Sequence, residues 1–343
     1  MHTLQTQESP SQESPSQEWA PGSDASPGEF SCIHIGLPKT ATCTLQRHLF
    51  LHHSQIHFLG KFRRGKSPDR ATENFLAQVF ENRLGARRLS ALRRWVDDRC
   101  RDDKRRGAIP LLSDEAFSSG DIDTHIWRAR NLRESLGPCK VIFFLRQPVH
   151  LMRSLYRHTL KCRHVGSSST YARAPRYSSC GQWFENHSDW NRGPLTFLNY
   201  AETLQVYADV FGRQNIKLTL FEQFAEDNEA VIRDICEFLG IEPAEALQIL
   251  NGKHENKHLT LPQIDRLREI EGSFWQSFAF RFSPRKRRKR MIFEQPPATR
   301  VTPEEDLEVP PAWQEKICDF TREGNREIAR QWNLPLEQYN YPV

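Results

Sequence analysis

The chain contains no stretch of eighteen apolar residues, so no membrane-crossing helix is expected and no membrane anchor is predicted. Its N-terminus lacks the basic and apolar regions of a secretory leader. The eight cysteines include no Cys-x-x-Cys pair and no zinc-ligand spacing, so no metal site is predicted. Thiols in a large domain without an export signal are expected to stay reduced, which favours the cytoplasm. Residues 1–30 lack Lys and Arg, yet carry the five acids Glu8, Glu13, Glu18, Asp24 and Glu29 and the polar repeat QESPSQESPSQE. Such a segment buries too little apolar surface to offset the entropy of ordering it. It is predicted to be a disordered tail, with residues 31–343 forming one domain. The whole chain carries a net charge of +5; with the tail's five negative charges set aside, the rest carries +10. That balance suits an anionic ligand, although excess cations also serve solubility.

What is present reads as alternating strands and helices. SCIHI is a short apolar run ending in Gly and Pro, followed by the helical TCTLQRHLFLHH. Residues 71–100 carry one or two amphipathic helices, and GAIPLLSDEAF a strand ending near Ser113. WRARNLRESLG predicts a helix closed by Gly137, KVIFFLR a buried strand, and QPVHLMRSLYRHTLKC the helix after it. TFLNYAETLQVYADVFG, NIKLTLFEQF and NEAVIRDICEFLGI read as helix, strand and helix. Strands next to helical segments predict an α/β fold: a three-layer sandwich around a mainly parallel central sheet. Residues 161–190 are predicted to be a substrate-facing insertion or a packed surface loop, and 283–292 a basic loop.

Two segments point to anion chemistry. In IHIGLPKTATCT a strand enters a Gly-containing turn and a helix starts at about Thr40 to Thr42. The first N–H groups of a helix have no internal partners, and with the helix dipole they attract an anion. Gly36 permits a turn that a side chain would obstruct, and Pro38 stiffens the approach. Lys39 brings a charge; Thr42 and Thr44 bring hydroxyl donors. The commonest nucleoside-triphosphate loop has four residues between its first Gly and a Gly-Lys pair. Here only Leu37 and Pro38 separate Gly36 from Lys39, and Asp114 and Glu115 are the nearest candidates for a magnesium partner. The loop is therefore expected to work without metal. In FFLRQPVHLMRSLYRH, Arg146 ends a buried strand and Ser154 follows eight residues later. Arg146 suits paired charge-assisted bonds to phosphate, and Ser154 adds a neutral one. Ligands of parallel α/β sheets collect beyond the carboxyl ends of the strands, where Lys39 and Arg146 both fall.

Together these residues resemble the sulfotransferase family that uses 3'-phosphoadenosine 5'-phosphosulfate (PAPS), in its bacterial and carbohydrate-type members. That family has a P-loop-like strand–loop–helix with the pattern Gly-x-Pro-Lys-[Ser/Thr]-Gly-Thr-[Thr/Ser]. This chain reads Gly36, Leu37, Pro38, Lys39, Thr40, Ala41, Thr42, Cys43 and then Thr44. The family's second element, Arg-x-Pro with a Ser eight residues after the Arg, matches Arg146, Pro148 and Ser154. The resemblance implies that the first loop holds the 5'-phosphosulfate and the second the 3'-phosphate, with 3'-phosphoadenosine 5'-phosphate (PAP) as product. LLSDEAFS, FEQFAEDNEAVIRDICEFLGI and REGNREIARQWNL extend it over about residues 31–335. Ala41 and Cys43 depart from the pattern. An alanine is unfavourable there if the position needs a positive φ, and a thiol is a weak donor. Gln147 replaces a common Asp.

The expected reaction moves a sulfuryl group to an acceptor hydroxyl on a small molecule or glycan. Lys39 is expected to stabilise the departing phosphate, and Glu115 to take the acceptor proton, with His57 and His158 as competing bases. His34, between Ile33 and Ile35, reads as structural. Arg163, Tyr171, Arg173, Arg176, Tyr177, Trp183 and Trp190 suit a carbohydrate acceptor, or simply a packed loop. The run Arg285 to Arg290 matches a nucleic-acid or nuclear-targeting pattern of the kind that arises often by chance, and a nucleic-acid partner is not favoured. Two other readings remain: a small-molecule kinase, and a noncatalytic anion- or nucleotide-binding protein of the same fold. Oligomeric state and acceptor identity are not encoded legibly.

Overall fold

The apolar runs become a five-stranded sheet in the computed structural model, which describes residues 30–60, 70–80, 84–165, 177–253, 259–294 and 302–343. The predicted tail therefore lies outside the described residues, as do most of the basic segment 60–70 and the arginines and tyrosine between 171 and 176. Strands β1 (Ser31–Gly36), β2 (Ile56–Phe58), β3 (Ile109–Ser113), β4 (Cys139–Leu145) and β5 (Ile216–Leu220) pair in the order β2-β3-β1-β4-β5, all parallel. Every residue of β1, β3 and β4 is buried, as parallel strands covered on both faces require.

Alternation along the strands feeds two cores. Cys32, Ile109, Leu111, Ile142 and Phe144 point to one face. There α1 (Thr42–Thr44, continuing as a π-helical stretch Leu45–Phe50), α9 (Asn228–Leu239) and α10 (Pro243–Leu250) cover them with Leu45, Leu49, Ile232, Ile235 and Ala246. Ile33, Ile35, Leu112, Val141 and Phe143 point to the other face. That face meets α2 (Arg70–Val79), α3 (Ala86–Arg105), α4 (Ile122–Leu136), α5 (Pro148–Val165), α6 (Cys180–Glu185), α7 (Tyr200–Phe211) and α14 (Pro311–Trp332). The short α8 (Phe221–Glu226) follows β5 directly. The pair α11 (Leu261–Gly272) and α12 (Phe274–Arg281) leads into α13 (Arg285–Phe293). This is the three-layer α/β sandwich with a parallel centre that the strand pattern predicts.

Local signals set the boundaries. Asp121 caps α4 by accepting from the Thr124 N–H at 2.9 Å, and Gly137 at φ 77° ends it. Gly240 ends α9 in the left-handed region. One element is new, one expectation needs correction and one open choice narrows. β2 is a three-residue edge strand, too short to show an alternating pattern. The basic loop at 283–292 is mostly the helix α13: Lys and Arg are good helix formers, Pro284 precedes its first turn, and buried Ile292 seats it. In the 161–190 region, α5 runs to Val165, and Trp183 and Phe184 of α6 are core residues. Trp190 packs at a tilt against Phe320, 4.3 Å between ring centres, so these indoles fit the packed alternative.

Candidate active site

β1 is followed by α1 on one face of the sheet and β4 by α5 on the other. Adjacent strands whose chains leave in opposite directions open a crevice at their carboxyl ends. The register pairs Gly36 with Phe144, so the Gly36–Thr44 loop and Arg146 leave the sheet side by side. The guanidinium joins them: Arg146 Nη1 donates to the Lys39 carbonyl at 2.5 Å.

The loop's shape follows from its residues. A Cβ on Gly36 would stand 2.3 Å from Thr42 Oγ1, so glycine is required there by close approach. Thr40 Oγ1 donates to the Leu37 carbonyl at 2.6 Å, and Thr42 Oγ1 reaches the same oxygen at 3.3 Å. The threonine hydroxyls thus brace the turn. Lys39 and Ala41 have φ of 71° and 62°. Positive φ at alternate residues makes successive N–H groups converge on a concavity that favours anions. Among the described residues, the N–H groups of residues 39–43 have no backbone partner, whereas Thr44 N and Leu45 N donate to the Ala41 carbonyl at 2.8 and 3.1 Å. Cys43 therefore presents its backbone N–H, which its side chain does not alter.

Ala41 occupies the conformation that the resembling pattern reserves for glycine. An alanine there carries about 1 kcal/mol of strain, while a glycine would cost about 0.4–1 kcal/mol through the unfolded chain. Ala41→Gly is therefore expected to leave stability unchanged or raise it by up to about 0.6 kcal/mol in urea unfolding. Ala41→Val, β-branched at positive φ, is expected to cost about 2 kcal/mol or more. A glycine variant markedly less stable than the native chain would contradict the left-handed assignment.

A network beneath the loop fixes it to its neighbours. His34 Nδ1 lies 2.7 Å from Ser113 Oγ, and Gln46 Nε2 donates to that oxygen at 2.9 Å, tying β1, β3 and the first helix together. Burial lowers the His34 pKa to about 3, so it is neutral and structural, as its alternation predicts. Ser118 Oγ reaches the Gly36 carbonyl at 3.4 Å, bringing the 3-10 turn Glu115–Ser118 against the loop. Glu115 opens that turn and is close enough for its charge to act on Lys39. Burial lowers the Lys39 pKa from that of an ordinary lysine. Cys43 and Glu115 oppose the shift, and Arg146 and Lys161 add to it.

The second element is more enclosed. Arg146 has its guanidinium 4.4 Å from the Phe221 ring centre, and its carbonyl accepts from Tyr200 Oη at 2.6 Å. Burial lowers its pKa, with Glu222 opposing the shift. Glu222 itself accepts from the Gln147 N–H and Tyr341 Oη, both at 3.0 Å. Gln147 also ties the C-terminal segment in, donating from Nε2 to the Asn340 carbonyl at 3.1 Å. Among the described residues, Arg146 Nε and Ser154 Oγ are buried without a hydrogen-bond partner. Buried polar atoms are normally satisfied, so each of the two is a donor left for an acceptor oxygen. Arg153 and Arg157 both pair with Glu308, at 2.8 and 3.2 Å.

The competing histidines separate. His158 lies on α5 four residues beyond Ser154 and three before Lys161, so the three share one helix face. His57 is not brought to the site. On β2 it registers with Pro110, about five residues, or roughly 16 Å, below the level of Gly36. It is bonded there to Asp103. Tyr200, Phe221, Glu222 and Tyr341 were missed as site residues. The signal for Phe221 and Glu222 was their position immediately after β5, at the same carboxyl edge. Nothing local marked Tyr341.

Among the described residues, no group of three His, Cys, Asp or Glu side chains is placed to hold a metal, and no helix is long and apolar enough to cross a membrane.

No protein of curated function matches the chain by sequence. Among solved structures, a sulfotransferase from Alicyclobacillus acidocaldarius is similar at 20% identity and a TM-score of 0.42, over 78% of this chain and 96% of that one. Mouse sulfotransferase SULT7A1 complexed with PAP is similar at 13% identity and a TM-score of 0.37, over 66% of this chain and 68% of that one. The sulfotransferase domain from the curacin biosynthetic pathway is similar at 12% identity and a TM-score of 0.37, over 66% and 78%. The family model described as the sulfotransferase domain matches residues 32–259, which span β1 to β5 and both anion elements. On that match the chain belongs to the sulfotransferase domain family.

Proposed function

We propose that the protein is a PAPS-dependent sulfotransferase acting on a hydroxyl of a small molecule or glycan. The observation that carries this reading is the Arg146–Lys39 contact, which joins two anion elements from separate strands in one crevice. A ligand with two separated phosphate groups would use both. The N–H groups of residues 39–43 and Lys39 suit the 5' end, and Arg146 Nε with Ser154 Oγ suits the 3'-phosphate.

PAPS supplies the sulfuryl group, which passes in line from a phosphate oxygen to the acceptor oxygen as one S–O bond breaks and another forms. Lys39 and the loop N–H groups stabilise negative charge left on the phosphate. Glu115, beside Lys39, takes the acceptor proton. Glu115→Gln is expected to lower turnover about 10²–10⁴-fold while leaving PAP affinity within a few-fold. Undiminished transfer by that variant would shift the role to His158. The buried thiols are not nucleophiles: burial pushes Cys100, Cys139, Cys180 and Cys236 up to about 12, so they stay protonated.

The deciding experiment is calorimetric titration with PAP in the absence of metal, against ATP with magnesium. Selective PAP binding is expected. Preference for ATP with magnesium would make the protein a kinase. PAP binding without transfer to any acceptor would favour a noncatalytic role.

A further inference from the structure

Away from the crevice, α12 and α13 place an apolar stripe beside a cationic helix. Phe274 and Trp275 are 75% and 77% exposed, Phe278 is 54% and Phe282 is 71%. Offsets of one, four and eight residues put these rings within about 100° of one helix face. Phe274 meets Trp275 edge-on at 5.4 Å, and Phe278 meets Phe282 at 4.7 Å. Phe293, at the end of α13, is also exposed. Of the seven large apolar side chains exposed among the described residues, five fall between residues 274 and 293. Single exposed apolar residues are ordinary, whereas a contiguous patch marks a contact surface.

The next helix is cationic. Lys286, Arg287, Lys289 and Arg290 are exposed, with Glu294 the acid paired to Arg290 at 3.0 Å. The two helices are held to the fold. Ser283 Oγ donates to the Ala279 carbonyl at 2.6 Å at their junction. Arg266 Nε donates to the Met291 carbonyl at 3.3 Å, and Ile292 is buried in the core.

We propose that α12 and α13 dock the protein on an anionic lipid bilayer, rings at the headgroup–acyl boundary and the basic helix against acidic headgroups. This goes beyond the proposed sulfotransfer and does not depend on it. Aromatic rings favour the membrane interface, and clustered Lys and Arg beside them select anionic lipid. Docking of this kind lies on the membrane and needs no spanning helix. A second copy of the chain would set two basic helices against each other. Single-stranded nucleic acid is read by rings interleaved with donors along a groove. Here the rings form one stripe and the cations lie on a separate helix.

The test is flotation of the full chain with phosphatidylcholine vesicles, with and without phosphatidylglycerol. Binding only to the anionic vesicles is expected, with a blue shift of tryptophan emission that Trp275→Ser reduces. Two quadruple variants, at Phe274, Trp275, Phe278 and Phe282 to Ser and at Lys286, Arg287, Lys289 and Arg290 to Gln, should each weaken binding roughly 100-fold or more. Both should keep the native thermal melt, because every substituted side chain is exposed. The proposal fails if anionic vesicles are not bound, or if the ring variant binds them as well as the native chain. It also fails if the ring variant's main effect is to dissociate a dimer in the absence of vesicles.

Discussion

Replacing Lys39 with alanine is expected to lower sulfuryl transfer about 10²–10³-fold, the usual cost of removing one donor aimed at developing charge. The backbone at residue 39 stays in the left-handed region, at φ 71°, and alanine bears the same strain there as lysine. The loop should therefore keep its shape, and the loss should fall on turnover more than on PAP affinity. The lysine's environment supports this division. Burial, Arg146 and Lys161 all disfavour its charge, and Cys43 and Glu115 only partly compensate. An arriving anion restores what burial removed, so the ammonium interacts most strongly when negative charge is greatest. The sign with pH follows. Raising pH through the lowered pKa neutralises Lys39 and weakens PAP binding, at a pH below that of an ordinary lysine. In Lys39→Ala that step should vanish from a pH series of titrations. Turnover equal to the native rate would remove Lys39 from the mechanism.

Much of this site was legible because a strand followed by a tight turn fixes where its residues must lie. SCIHI and KVIFFLR carry apolar residues on both faces of the strand, with only Ser31, His34, Lys140 and Arg146 polar, and strands of that kind are central and parallel. Gly36, Lys39 and Arg146 were thereby committed to one sheet edge before any coordinates. Ala41 was readable as a problem but not as a solution. Its left-handed backbone goes with the hydroxyls of Thr40 and Thr42 turned inward to the Leu37 carbonyl, which a linear pattern does not show. His57 misled because proximity in sequence to the first helix says nothing about register on an edge strand. The basic run at 285–290 was read as a loop from its charge, although lysine and arginine suit helices and Ile292 supplies the buried anchor. Tyr341 reaches Glu222 across 119 residues, a contact set by how the C-terminal segment returns over α8.

Arg146→Ala should have the largest effect on binding: a loss of about 3 kcal/mol or more in PAP affinity, at least a hundredfold. Three contributions act in the same direction. The guanidinium's charge-assisted bonds to phosphate are lost. The Lys39 carbonyl loses its donor, which loosens the join between the two anion elements. Glu222, whose charge acts on Arg146 and which Gln147 and Tyr341 hold in place, is left facing an incoming anion without its counter-charge. Arg146→Lys separates these effects. It keeps the positive charge opposite Glu222 but not the planar fork or the stacking on Phe221, so it should recover only part of the affinity. Ser154→Ala removes one neutral donor and should cost about 1 kcal/mol, near fivefold. The order Arg146→Ala, Arg146→Lys, Ser154→Ala in decreasing severity is what a 3'-phosphate site predicts. Equal losses in all three would mean that the helix start, rather than these side chains, holds the phosphate. No loss in any would place the nucleotide elsewhere, and the buried Nε and Oγ would then need another acceptor.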